Sequence, residues 1–135
     1  MLRQAQHSSV RDLAYRLLKE RPEALERDVI RLFNRNYLPG DHLIIETALS
    51  VVQDRESIHS LGLDVIDLAE SQLHPELTTS LEWVYEGTPC SNCREYALSA
   101  LLARDRATDA RLQECLWDCS TDTQTLAKDS LASQS

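Results

Sequence analysis

Apolar residues recur along the chain at intervals of three and four, the spacing that gathers them on one face of a helix. In SSVRDLAYRLLKER, Val10, Leu13, Ala14, Leu17 and Leu18 share such a face. Pro22 suits the first turn of a second helix, PEALERDVIRLFNRN, where a missing N–H costs nothing. The break LPGD at 38–41 follows, and Asp41 is placed to cap HLIIETALSVVQD. SIHSLGLDVIDLAESQ buries Ile58, Leu61, Val65, Ile66 and Ala69, and Pro75 then opens PELTTSLEWVYE. The turn GTPCSN at 87–92 leads into CREYALSALLAR. Thr108 and Asp109 are capping candidates for ARLQECLWDC, and Thr121 or Asp122 for TQTLAKDSLA. The pattern predicts an all-α chain of about eight helices with short connections. HLIIE at 42–46 is the one β-like run, and it fits better inside a longer amphipathic helix.

Four helices begin alike: Val10, Arg11, Ala14, Leu18; Ile58, His59, Gly62, Ile66; Cys93, Arg94, Ala97, Leu101; Thr123, Gln124, Ala127, Leu131. The starts lie 48, 35 and 30 residues apart, and the first interval has room for an additional helix. Each copy places a small or apolar residue, a polar one, then Ala or Gly one turn on. The tiny residue lets a neighbouring helix approach closely, and the apolar residues on either side extend the inward face. Stacked helical hairpins account for this better than a generic bundle does.

VVQDRESIHSLGLDVI, YEGTPCSNCREYALSALL and LWDCSTDTQTLAKDSL carry a resemblance to HEAT repeats, especially the HEAT-like proteins of bacteria. It covers roughly residues 7–132. The resemblance implies an α-solenoid of stacked hairpins whose second helices line a concave, partner-binding face. It also implies an aspartate in the turn between helices, matched by Asp54 and Asp118, and an arginine early in the second helix, matched by Arg11 and Arg94. His59 and Gln124 depart from the arginine, which puts an inter-repeat Asp–Arg ladder in question. On this reading the chain opens on the second helix of a hairpin, as the C-terminal piece of a longer array or as a short array with an odd cap. Some HEAT-like relatives are phycobilin lyases, so cofactor attachment is an alternative that the resemblance implies.

Composition narrows the picture. A chain of 135 residues suits a single domain, 1–135, with 1–6 and 133–135 expected to fray. Three glycines and four prolines are few for an all-β chain, which needs many tight turns. No run of about 18 apolar residues occurs, and MLRQAQHSSVRD has no apolar core, so neither a membrane span nor a secretion signal is expected. The cysteines are then reduced thiols in a cytoplasmic setting. Net charge is −8, and residues 1–36 hold eight Lys/Arg against five Asp/Glu. The acidic remainder disfavours nucleic acid and suits a basic protein partner. The asymmetry between the two parts also suggests weak head-to-tail self-association, sensitive to salt.

Chemistry-bearing residues are few. Cys90-x-x-Cys93 is followed by Cys115 and Cys119. These four could hold zinc as four thiolates, because successive hairpin turns lie on one edge of a stack. Cys90 and Cys93 at a helix start could instead form a redox-responsive pair. The repeat favours a third reading, core packing, since Cys93 stands where Val10 and Ile58 stand. The histidines at 7, 42, 59 and 74 show no metal-binding pair spacing, which suggests surface or capping roles. No Ser-His-Asp, P-loop or dinucleotide signature occurs. The expectation is a non-enzymatic scaffold or adaptor without a cofactor. Its concave face would use Asp64, Asp67, Arg94 and Glu95 as polar contacts. Asp64, Asp67, Glu70 and Glu56 would form an acidic strip, and Trp83, Tyr85, Tyr96 and Trp117 would anchor a partner where exposed.

Overall fold

The computed structural model describes residues 8–20 and 29–134. Among the described residues the chain is helical, without a strand. Seven α-helices follow in order: α1 Ser8–Glu20, α2 His42–Leu49, α3 Arg55–Ser71, α4 Thr78–Gly87, α5 Ser91–Ala103, α6 Asp109–Cys115 and α7 Thr121–Ser133. Short 3₁₀ turns span Ile30–Phe33 and Pro75–Leu77. The helix expected to open at Pro22 lies partly outside the described residues, and its described end is the first of these turns. No described helix is long and apolar enough to cross a membrane.

Local chemistry sets the helix ends. Asp54 accepts from the Ser57 N–H at 2.9 Å and caps α3. Thr108 accepts from Arg111 N–H at 3.1 Å and caps α6, as expected. Ser120, rather than Thr121 or Asp122, caps α7. Helix α5 ends with Asp105 at φ 56°, while Arg106 N–H reaches Leu101 O and Asp105 N–H reaches Leu102 O. This is a Schellman closure with aspartate where glycine is commonest.

Packing arranges the elements in two rows. Helix α1 lies beside α2 and α2 beside α4; the 30–33 turn lies beside α3, α3 beside α5, and α5 beside α7. Helix α1 also packs on the 30–33 turn, α4 on α5, and α6 on α7. Helix α1 therefore stands with α2 and α4, not with the other three template helices. The repeat at Ile58, Cys93 and Thr123 describes one row, and its apparent first copy at Val10 belongs to the other. A small residue one turn into an amphipathic helix serves close packing in either row, which is why the template caught both.

The template's small positions do what their size implies. Ala14, Gly62, Ala97 and Ala127 are all buried. A β-carbon on Gly62 would stand 3.2 Å from Val84 Cγ1, so α4 approaches α3 closely enough that an added methyl group would press on the Val84 side chain.

Helix α5 is tied to α3 by the buried Arg104. Its guanidinium donates to Ala100 O at 2.7 Å, Gln72 O at 2.6 Å, His74 O at 3.1 Å and also to Ala69 O. The acceptors on and after α3 are carbonyls at the end of that helix, where the peptide dipoles favour a cation.

Replacing Ala97 by Leu is expected to lower unfolding stability by about 1–3 kcal/mol through overpacking. Ala110→Leu, at an exposed position, should stay within about 0.5 kcal/mol. Urea unfolding midpoints of the two variants check this.

Candidate functional site

Two successive junctions of the α3, α5, α7 row share one construction. At the α5–α7 junction, Arg94 Nε donates to Asp118 Oδ2 at 2.8 Å and Nη2 to Oδ1 at 3.3 Å. Asp118 Oδ1 also accepts from Ser120 N–H at 2.9 Å, two residues on, shaping the turn into α7. At the α3–α5 junction the same offset recurs with Thr88, whose Oγ1 accepts from Cys90 N–H at 3.2 Å. Thr88 thus stands where Asp118 stands, and it brings no charge. Its counterpart on α3 is His59, where α5 has Arg94. The charged bridge of one junction has no equivalent at the other.

In its place, His59 Nδ1 meets Cys93 Sγ at 3.5 Å. Cys90 joins them, and the ligand atoms of His59, Cys90 and Cys93 all lie within 4.8 Å of one another. The cluster draws on α3, the cap of α5 and its first turn. Cys93 is buried; His59 and Cys90 are partly open to solvent.

The two thiols differ in character. Burial pushes Cys93 up to about 11, and the Cys90 thiol pushes the same way. Cys90 occupies the α5 cap position without a formed cap hydrogen bond. Burial alone would raise it, but the backbone and side chain of Cys93, the Asn92 N–H and the Arg94 cation outweigh burial and hold it below the ordinary thiol value. The arrangement offers one sulfur suited to carrying charge, one that needs a counter-charge, and an imidazole nitrogen. Such donors suit a borderline-soft cation.

The other two cysteines lie apart from this group. Cys115 is buried with its sulfur 3.0 Å from Tyr85 Oη. Cys119 is exposed, and Arg94 Nη2 donates to it at 3.2 Å. The set brought together is therefore His59 with Cys90 and Cys93, not the four cysteines that spacing suggested. The absence of a partner histidine three or four residues away hid His59, because its partners come from the next hairpin. The available signal was its place on α3, where the similar start of α5 has Arg94.

Residues expected on a partner-binding face divide differently. Asp64 is buried, 5% exposed, with Oδ1 2.8 Å from Arg31 Nε, and Arg31 Nη2 lies 2.9 Å from Asp67 Oδ2. Asp64 is thus an internal tie between the 30–33 turn and α3, not a surface contact. Arg94 is likewise committed to Asp118. Asp67 keeps an exposed edge, and Glu95 is half-buried. Tyr85 is buried and Trp83 half-buried, while Tyr96 and Trp117 are 47% and 89% exposed.

Asp41 also differs from its expected role. Its carboxylate accepts from Leu38 N–H at 2.9 Å and from Arg11, and it makes no cap hydrogen bond to α2. Nearby, Glu76 gathers Gly40 N–H, Tyr37 Oη and His42 Nδ1 at 2.9, 2.7 and 3.0 Å. The Gly40 N–H, then Tyr37, hold its carboxyl down at about 2. This cluster ties the 37–42 loop to the Pro75 turn. His74 serves as a cap, its Nδ1 accepting from Glu76 N–H at 3.4 Å.

A shallow groove of about 160 Å³ runs between the far ends of α3 and α5. Ala69, Glu70 and Leu73 form one wall, Tyr96, Ser99 and Ala103 the other. Leu73 is 70% exposed. Compared with protein-family models, curated proteins and solved structures, the chain matches none.

Arg94→Met leaves the Asp118 side chain, only 6% exposed, without its cation, and should cost about 3–5 kcal/mol. Arg94→Met with Asp118→Leu should recover most of that loss. Hydrogen bonding from Arg94 lowers the folded Asp118 pKa. Its stabilising contribution is therefore present above about pH 4 and lost as pH falls through the lowered value. Asp118→Asn should flatten that part of the acid unfolding curve, followed by circular dichroism.

Proposed function

We propose that this protein is a non-enzymatic helical-repeat module of HEAT-like architecture that binds a basic protein partner. The succession of hairpins and the Arg94–Asp118 bridge support the architecture. The observation that carries the binding role is the groove between α3 and α5. It lies between two helices that carry the repeat template, and in the HEAT-like reading such second helices line the concave face.

The groove combines the two ingredients of a docking surface. Leu73 and Tyr96 leave apolar area in water on opposite walls. Glu70 supplies an exposed carboxylate beside them, and Asp67 lies one turn earlier on α3. Arg104 lines the groove too, but its charge is engaged by carbonyls. An apolar side chain flanked by Lys or Arg fits this wall. Burial of the apolar area would supply affinity, and the carboxylates would steer the approach. Asp64 and Arg94 hold the hairpins together and take no direct part.

A photo-crosslinking residue at position 96 would capture the partner in cells, and the identified partner would then be purified. Leu73→Asp and Tyr96→Asp are each expected to weaken the reconstituted complex at least tenfold, about 1.4 kcal/mol. Glu70→Lys should slow association and reduce its salt dependence. Affinity unchanged in all three variants would overturn the proposal.

A further inference from the structure

The geometry points to a zinc site formed by His59, Cys90 and Cys93, with its fourth position open to solvent. It is independent of the groove and of any partner.

Distances come first. Zinc bonds of about 2.0 Å to imidazole nitrogen and about 2.3 Å to sulfur give tetrahedral edges of roughly 3.6 Å between nitrogen and sulfur. His59 Nδ1 and Cys93 Sγ already stand 3.5 Å apart. With every pair of ligand atoms within 4.8 Å, side-chain adjustments of about an ångström would complete the site.

The donor set comes second. Two thiolates balance the charge of one Zn²⁺, and a neutral imidazole adds a third bond without charge. Arg94, whose cation acts on both sulfurs, is already matched by Asp118. A zinc ion supplies the counter-charge that a buried Cys93 thiolate lacks.

Position comes third. The cluster occupies the junction where both members of the charged bridge are missing. Core packing explains Cys93 alone. It does not explain an imidazole in the arginine position whose Nδ1 faces a sulfur, or a second cysteine at the α5 cap. Metal coordination explains all three residues and gives the α3–α5 junction the cross-link that Arg94 and Asp118 give the next one.

The test uses the reduced full-length protein, stripped of metal and titrated with Zn²⁺ against a chromophoric chelator. One equivalent should bind, and the melting temperature should rise. Affinity should fall by 10–100-fold or more in His59→Gln and in Cys93→Ser, and stay unchanged in Cys119→Ser. Affinity should also rise with pH, because the thiols lose protons on binding. X-ray absorption of the zinc-loaded wild type should show two sulfurs and one imidazole, a readout that does not depend on any variant folding. Less than a tenth of an equivalent bound would overturn the proposal. So would full affinity in His59→Gln, or a four-sulfur shell, which would return Cys115 and Cys119 to the site.

Discussion

Helix α5 is pinned at both ends by arginines, and the positions of its neighbours depend on that. At its C-terminal end Arg104 carries a buried cation with no carboxylate to meet it among the described residues. Such a charge is costly unless hydrogen bonds replace its water. Carbonyls at residues 69, 72, 74 and 100 do so, and those of α3 would otherwise be left open at the end of a helix. Two liabilities cancel, and the ends of α3 and α5 become one unit. At its N-terminal end Arg94 reaches across to Asp118 and holds the turn into α7. Its Nη1 also contacts Thr88 O at 3.5 Å, linking its own preceding turn to the same bridge.

With α5 held in this register, the first turn of the helix presents Cys93 inward toward α3. The residue it meets is decided by α3, and there the chain has His59. A ladder of charges joins hairpins by pairing groups that are already ionised near neutral pH. A cluster of two thiols and an imidazole is different. Its cohesion depends on the cation supply. The same mechanical task is done at one junction permanently and at its neighbour conditionally.

Much of this was legible in the sequence, for identifiable reasons. Helices α3 through α7 follow local spacing and local caps, both written within a few residues of each element. The template residues Gly62, Ala97 and Ala127 are legible because close approach leaves few choices of side chain. What was hidden depends on partners far along the chain. Asp64 reads as one of three evenly spaced surface acids until Arg31 covers it. Asp41 reads as a cap until Arg11 takes its carboxylate. Cys115 and Cys119 read as a second ligand pair, but α6 gives Cys115 to Tyr85 and the turn after it gives Cys119 to Arg94. His59 reads as an isolated residue because its distance to Cys93 is set by the packing of α3 against α5, which no local periodicity encodes.

The groove and the cysteine cluster share one helix pair, and Tyr96 of the groove stands one turn after Cys93, while Ala69, Leu73, Ala103 and Arg104 lie toward the C-terminal ends. Arg104 fixes the C-terminal ends of α3 and α5 through hydrogen bonds that do not involve a thiol or an imidazole. Loss of the cluster's cohesion therefore acts first at the N-terminal ends, where Gly87 and Thr88 lead into α5, and the wall at Ala69 to Leu73 keeps its anchor at Arg104. A binding surface with its own anchor tolerates a variable junction elsewhere in the stack. At the α5–α7 junction Arg94 and Asp118 also shape the turn into the last helix, and no second anchor comparable to Arg104 holds α7 among the described residues.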